Sequence, residues 1–211
     1  MSDERQKHWD GVYKTKLPTE VSWYRPRLDT SLALIAEADP KATGSVIDIG
    51  GGESTLVDDL LARGYAEVAV ADISATALAV TRERLGERAA KVQWHCGDVT
   101  QLPLPEAQYD IWHDRAVFHF LTDAASRVAY VRQVVRSVRP GGHVIIGAFG
   151  PNGPTQCSGL DVVRYDANAL HRELGPGFEL LRQLEEEHTT PMGRSQHFVW
   201  CSCRLGASRE R

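Results

Sequence analysis

Ser45-Val46-Ile47-Asp48-Ile49-Gly50-Gly51-Gly52-Glu53-Ser54 is the stretch on which the reading of this chain turns. A short apolar run breaks on three consecutive glycines. Leu56, Leu60 and Leu61 then recur at helical spacing, and Gly64 is placed to stop the helix they announce. Strand, tight turn and helix therefore follow within twenty residues. The glycines allow a ligand to approach the backbone where a Cβ would collide with it.

The same alternation continues toward the C-terminus. Glu67–Asp72 reads as a strand, and Ala75–Leu85 as a helix closing at Gly86. A strand around 92–94 leads to Gly97-Asp98-Val99, and another at 109–113 leads to Asp114-Arg115. From Ala124 onward Val128, Val131, Val135 and Val138 recur every three or four residues, which predicts one buried helical face ended by Pro140-Gly141-Gly142. Residues 143–149 form a continuous apolar run suited to a central parallel strand.

Parallel neighbours need crossovers, and crossovers cover both faces of the sheet. The expected core is thus a doubly wound, Rossmann-like α/β sheet. Beyond it, 150–160 is rich in Gly and Pro and reads as a loop, and Ala167–Leu174 reads as a helix. Extended segments at 178–187 and 196–203, joined at Thr190-Pro191-Met192-Gly193, predict an antiparallel hairpin. The whole is a mostly parallel seven-stranded sheet.

Toward the N-terminus, helices are expected at 8–14 and 28–37, separated by Val21-Ser22-Trp23-Tyr24-Arg25-Pro26. The aromatic residues there suit either a lid over the ligand cleft or packing against the sheet. Residues 1–44 read as a helical cap and 45–211 as the ligand-binding domain, within a single globular unit.

Composition narrows the partners. The chain has 211 residues, a formal net charge of -4 and no long run of Lys or Arg, so nothing favours a nucleic-acid backbone or an anionic membrane. No stretch reaches the roughly 18 apolar residues of a membrane span, and the charged start has no apolar region behind it. The expected location is cytoplasmic. Cys96 and Cys157 stand alone, whereas Cys201 and Cys203 point to one face of a strand; without a second such pair no metal site is expected.

Open parallel sheets bind ligands at the carboxyl ends of their strands. Four of those ends carry Asp48, Asp72, Asp98 and Asp114. A glycine turn followed by an acid about 20 residues later also fits a dinucleotide. The fingerprint for that ligand wants a third glycine at position 55, which is Thr55, and Asp48 and Glu53 bracket the turn with negative charge. Such a turn disfavours a diphosphate and suits a cation.

Asp48-x-Gly50-x-Gly52, then Asp72, then Gly97-Asp98-Val99, the segment after the fourth strand and Pro140-Gly141-Gly142 together resemble the class I S-adenosylmethionine-dependent methyltransferases over residues 45–150. Ser54 departs from the family at its usual third glycine, and its hydroxyl is able to cap the helix. The resemblance implies S-adenosylmethionine as cofactor. Its methionine end would be held by Asp48 and the Gly50-Gly51-Gly52 turn, its ribose by Asp72, and its adenine by Ile73, Asp98 and the Val99 backbone. Asp114 or Arg115 would contact the methionine end or the substrate. His113, Asp114, Arg115 and His119 border the transferable methyl as catalytic candidates, although His113 suits a packed, hydrogen-bonded position equally well, His119 between Phe118 and Phe120 suits one better, and no single base stands out.

Tyr13, Trp23, Tyr24, Arg115 and Cys157 are candidates for the acceptor wall. His8-Trp9-Asp10-x-x-Tyr13 resembles the start of bacterial small-molecule methyltransferases, thiol-methylating ones included, and of some protein-lysine methyltransferases. A small acceptor, such as a thiol or another soft nucleophile, is the expected substrate, with protein lysine as the alternative. A non-catalytic cofactor-binding regulator is the reading from another class; a nicotinamide dehydrogenase is disfavoured by Thr55 and the acidic turn.

Overall fold

The structure is a computed structural model and describes residues 2–207. In chain order its elements are α1 (Ser2–Thr15), α2 (Asp29–Ala38), β1 (Ser45–Ile49), α3 (Leu56–Ala62), β2 (Glu67–Asp72), α4 (Ala75–Leu85), β3 (Val92–Cys96) and β4 (Tyr109–Arg115). There follow α5 (Ala124–Ser137), β5 (Val138–Phe149), β6 (Gln156–Cys157), β7 (Leu160–Asp161), α6 (Ala167–Leu174), β8 (Phe178–Thr189) and β9 (Ser195–Leu205).

Seven strands form one sheet in the order β3-β2-β1-β4-β5-β9-β8. The first five are parallel, and β9 and β8 add the antiparallel hairpin. The order reverses between β1 and β4, so a crevice opens where their carboxyl ends diverge. On one face Trp112, Val144 and Ile146 pack with Tyr130 and Val134 of α5 and Leu170 of α6; on the other, Val46, Val68 and Ile145 pack with α2, α3 and α4. Each such aliphatic side chain contributes about 1.5 to 3 kcal/mol on leaving water. These layers fix the strand ends around the crevice.

Three expectations need correction. The buried line of α5 runs through Tyr130 and Val134, with Val131 and Val135 only half-buried, while Val128 is 59% exposed. Val138 is not helical: α5 ends at Ser137, and β5 passes through Pro140-Gly141-Gly142 with a register shift against β4. The valine spacing mixed a solvent-facing residue and a strand residue into one apparent stripe. The loop after Phe149 also contains the short pair β6–β7.

The N-terminal segment divides in two. Leu32, Leu34 and Ile35 of α2 are buried in the same core as β1 and β5, whereas α1 lies across the carboxyl ends of the strands. Among the described residues no helix is long and apolar enough to cross a membrane.

Candidate active site

The glycine turn is the floor of the crevice. Gly50 N–H donates to the Ala71 carbonyl at 2.7 Å, tying the end of β1 to β2. Gly50 has φ +68°, and a Cβ there would come within 2.1 Å of Val117; Gly52 has φ +39°, and its Cβ would meet the Tyr13 hydroxyl at 2.9 Å and Asp72 at 3.0 Å. Conformation and space both require glycine at these two positions. The Ser54 hydroxyl accepts from Leu56 N–H at 3.1 Å, so the departure from the usual third glycine serves the start of α3.

Acids surround this floor. Asp48 is buried, and its Oδ1 accepts from His113 Nδ1 at 2.7 Å. Asp72 is buried and accepts from Ser74 N–H at 2.8 Å. Loss of water pushes its pKa up to about 7, with Asp48 and Asp10 adding repulsion. Asp98 lines the crevice while its Oδ1 accepts from the backbone N–H and hydroxyl of Thr100 at 2.9 and 2.7 Å, so it ties down a turn as well. Ile73 and Val99 form the apolar walls between them. A pocket in which a buried carboxylate is pushed up by its acidic neighbours is stabilised by a cation.

Aromatic rings close the outer side. Trp9 of α1 meets Phe120 edge-on at 5.1 Å and Trp23 at 5.7 Å, and Tyr13 meets Trp23 at 6.2 Å. Asp10 pins the helix there, accepting from the Ser74 hydroxyl at 2.6 Å and from Thr76 N–H at 3.2 Å. The residues around Trp23 thus border the crevice as well as packing.

A second lobe shares Tyr13, Trp23, Gly50 and Arg115 with the first and adds Asp48, Glu53, His113, Tyr24 and Arg25. Arg115 Nη1 donates to the Trp23 carbonyl at 3.0 Å and the guanidinium lies 4.9 Å from the Phe198 ring centroid, but Nη2 is buried without a partner. Burial lowers the Arg115 pKa to about 10, which leaves it charged at neutral pH. Glu53 Oε2 is likewise buried and unpartnered, and burial raises its pKa. A guanidinium nitrogen and a carboxylate oxygen left without hydrogen-bond partners beside Asp48 complement the carboxylate and ammonium of an α-amino acid. The donor set therefore fits the methionine end of S-adenosylmethionine.

Most of the residues expected from sequence converge here: Asp48, Gly50, Gly51, Gly52, Asp72, Ile73, Asp98, Val99, Tyr13, Trp23, Tyr24, His113, Arg115 and Cys157. Two do not. Asp114 is buried in the core under α5, accepting from the Tyr130 hydroxyl at 2.6 Å and Val117 N–H at 2.9 Å, with its pKa raised to about 6 by burial. Its position on β4 points it to the same face as Trp112, away from the crevice. His119 packs on Phe149 at 4.3 Å, accepts from Phe149 N–H at 3.2 Å, and is held neutral by burial, which lowers its pKa to about 3. Cys157 reaches the crevice with its thiol pushed up by burial, so it is a wall and not a thiolate.

Sequence reasoning passed over Arg25, Ser31 and the pinning role of Asp10. Arg25 is held by Glu186 at 3.2 Å and by His188 at 3.0 Å, partners more than 160 residues away that no local pattern announces.

Residues 46–142 match the sequence family described as a methyltransferase domain. The mouse eEF1A lysine and N-terminal methyltransferase is 28% identical over 138 residues, which are 65% of this chain and 19% of that protein. A ubiquinone biosynthesis O-methyltransferase from Aromatoleum aromaticum is 34% identical over 108 residues, 51% of this chain and 44% of that one. The chain thus spans less than half the length of these curated relatives. A solved structure described as "Conversion of a Disulfide Bond into a Thioacetal Group during Echinomycin Biosynthesis" superposes with a TM-score of 0.78 over 97% of this chain and 94% of that chain, at 19% identity.

Proposed function

We propose that this chain, whose residues 46–142 match the methyltransferase-domain family, is a class I S-adenosylmethionine-dependent methyltransferase that methylates a small molecule carrying a soft nucleophile, above all a sulfur. S-adenosylmethionine supplies a methyl group on a sulfonium, already a strong electrophile. The protein's part is to hold the partners in line and exclude water, an alignment that lowers a barrier by about 7 to 11 kcal/mol. Asp48, Glu53 and Arg115 bind the amino-acid end, Asp72 accepts from the ribose hydroxyls, and Ile73, Asp98 and Val99 enclose the adenine. Trp9, Tyr13, Trp23 and Phe120 keep water from the reacting centre.

The observation that carries the choice of acceptor concerns proton transfer. Among the described residues lining the crevice the one histidine is His113, and both its ring nitrogens are engaged, at 2.7 and 2.9 Å. Tyr13 is pushed well above its usual pKa by burial and by Asp72, so it is no base either. A lysine ammonium must lose a proton before it attacks, which calls for a base. A thiol that ionises in water, or a neutral sulfur, does not. The sulfur chemistry named for the structural neighbour is consistent with this choice, and the mouse relative's name makes protein lysine the reading to be tested against it.

The deciding experiment supplies methyl-labelled S-adenosylmethionine with a panel of small thiols and, separately, with cell protein. Label is expected on the thiols. Label confined to protein lysine would overturn the proposal.

A further inference from the structure

Asp48 does not stand alone in the crevice wall. Its Oδ1 is 2.7 Å from His113 Nδ1, and His113 Nε2 is 2.9 Å from the Ser31 hydroxyl. All three side chains are buried, with Ser31 at 1% and His113 at 0% exposure. A carboxylate only accepts, so Nδ1 carries the hydrogen, and Nε2 shares the second hydrogen bond with the Ser31 hydroxyl. Both ring nitrogens are satisfied and the ring is locked in one orientation. Ser31 lies on α2, whose Leu32, Leu34 and Ile35 are embedded in the core, so the outer end of the chain is fixed by packing. On its other side the carboxylate is pressed under the glycine turn, where a Cβ on Gly51 would come within 2.7 Å of Oδ2.

We propose that Ser31 and His113 form a positioning relay that aims the Asp48 carboxylate at the ammonium of the cofactor's amino-acid end. Ser31 is too deeply buried to act as a nucleophile, despite the order serine, histidine, aspartate. The relay makes cofactor grip depend on α2, an element that contributes no side chain to the nucleoside end. The inference rests on the reading that Asp48 holds the ammonium.

The test uses two probes that share the nucleoside and the thioether, S-adenosylhomocysteine, which has the amino acid, and 5′-methylthioadenosine, which lacks it. In His113→Leu, affinity for the first is expected to fall about ten- to hundredfold, the range for losing a hydrogen bond to a charged group, while affinity for the second holds. His113→Asn, whose amide reaches the Nδ1 position, is expected to restore most of the loss. Ser31→Ala is expected to shift the ratio the same way by a smaller factor, and it carries the test if His113→Leu does not fold. A merely structural role would weaken both probes alike, and that result overturns the relay. Asp48→Asn separates the two layers of the argument. If it lowers the ratio and the His113 and Ser31 variants do not, the relay is wrong and the Asp48 reading stands. If Asp48→Asn also leaves the ratio unchanged, the reading falls and the relay with it.

Discussion

In the proposed site Asp72 trades stability for binding. Its carboxyl titrates near 7 in the folded protein, chiefly because burial strips it of water, against about 4 in an unfolded chain. Between those values the folded state holds a proton that the unfolded state has released. Stability from this group therefore falls as pH rises from about 4 to 7, and the cost stays in full above 7, on the order of 4 kcal/mol at most. Asp72→Asn removes the charge while keeping the shape. Its melting temperature is expected to exceed the parent's at pH 8, with the gain shrinking at pH 5, while cofactor affinity drops at least tenfold because an amide cannot accept from both ribose hydroxyls as a carboxylate does. Melts at the two pH values and a titration with cofactor check both halves; a variant no more stable than the parent at pH 8 would refute the account of the burial cost. With Asp72 holding the ribose as proposed, binding to the parent needs the ionised carboxylate, so affinity is expected to weaken by up to tenfold per unit as pH falls below 7.

At the scale of elements, α1 is joined to α4 by a cap that α1 supplies. The Ser74 hydroxyl accepts from Ala77 N–H, and Asp10, reaching over from α1, accepts from Thr76 N–H and from that same hydroxyl. Asp10→Ala removes a cap supplied by another helix, a loss of about 0.5 to 2 kcal/mol. The expected result is a small fall in melting temperature and a faster release of bound cofactor in stopped-flow measurements, since α1 then loses its hydrogen bonds to the start of α4. An unchanged release rate would show that α1 does not gate the cleft. The turn makes a harsher demand: Gly50→Ala would drive a Cβ into Val117 at a positive φ, and loss of both stability and cofactor binding is expected, read by melting and titration. The glycine turn and the acids Asp48, Asp72 and Asp98 were legible in sequence because each follows from local pattern, an apolar run ending in a residue type with one main use. Asp114 was not, because a polar residue after a strand does not reveal which face it points to, whereas the packed setting of His119 is the one its phenylalanine neighbours favour. Asp114 has Tyr130 as its partner, sixteen residues on in α5, and His119 has the backbone of Phe149. The buried face of α5 was misread for a related reason: β-branched residues at helical spacing mark a stripe only when all of them lie on the helix, and Val138 belongs to β5.

For the whole molecule, the order β3-β2-β1-β4-β5-β9-β8 puts the crevice at the β1–β4 reversal, and the N-terminal segment then serves two purposes that sequence alone presented as one cap. Trp9 and Tyr13 of α1 border the crevice and belong to neither core cluster, whereas Leu28, Leu32, Leu34 and Ile35 are buried within one of them. Burying four such side chains is worth roughly 6 to 12 kcal/mol, comparable with the 5 to 15 kcal/mol of net stability typical of a whole domain. The mechanical boundary therefore lies between α1 and α2. Deleting residues 2–15 is expected to leave a cooperative melt close to the parent's while cofactor affinity falls at least tenfold; deleting residues 2–38 is expected to abolish the cooperative transition. Calorimetry of both truncations decides the matter, and loss of cooperative unfolding in the shorter deletion would make α1 part of the fold instead of a cover for the site. Bound cofactor sharpens the comparison, because a ligand stabilises by RT ln(1 + [L]/Kd) only the protein that still grips it. At a concentration a hundred times the parent's Kd the parent gains about 2.7 kcal/mol. A truncated protein whose Kd has risen tenfold gains only about half as much, so the two melting curves should move apart on adding cofactor.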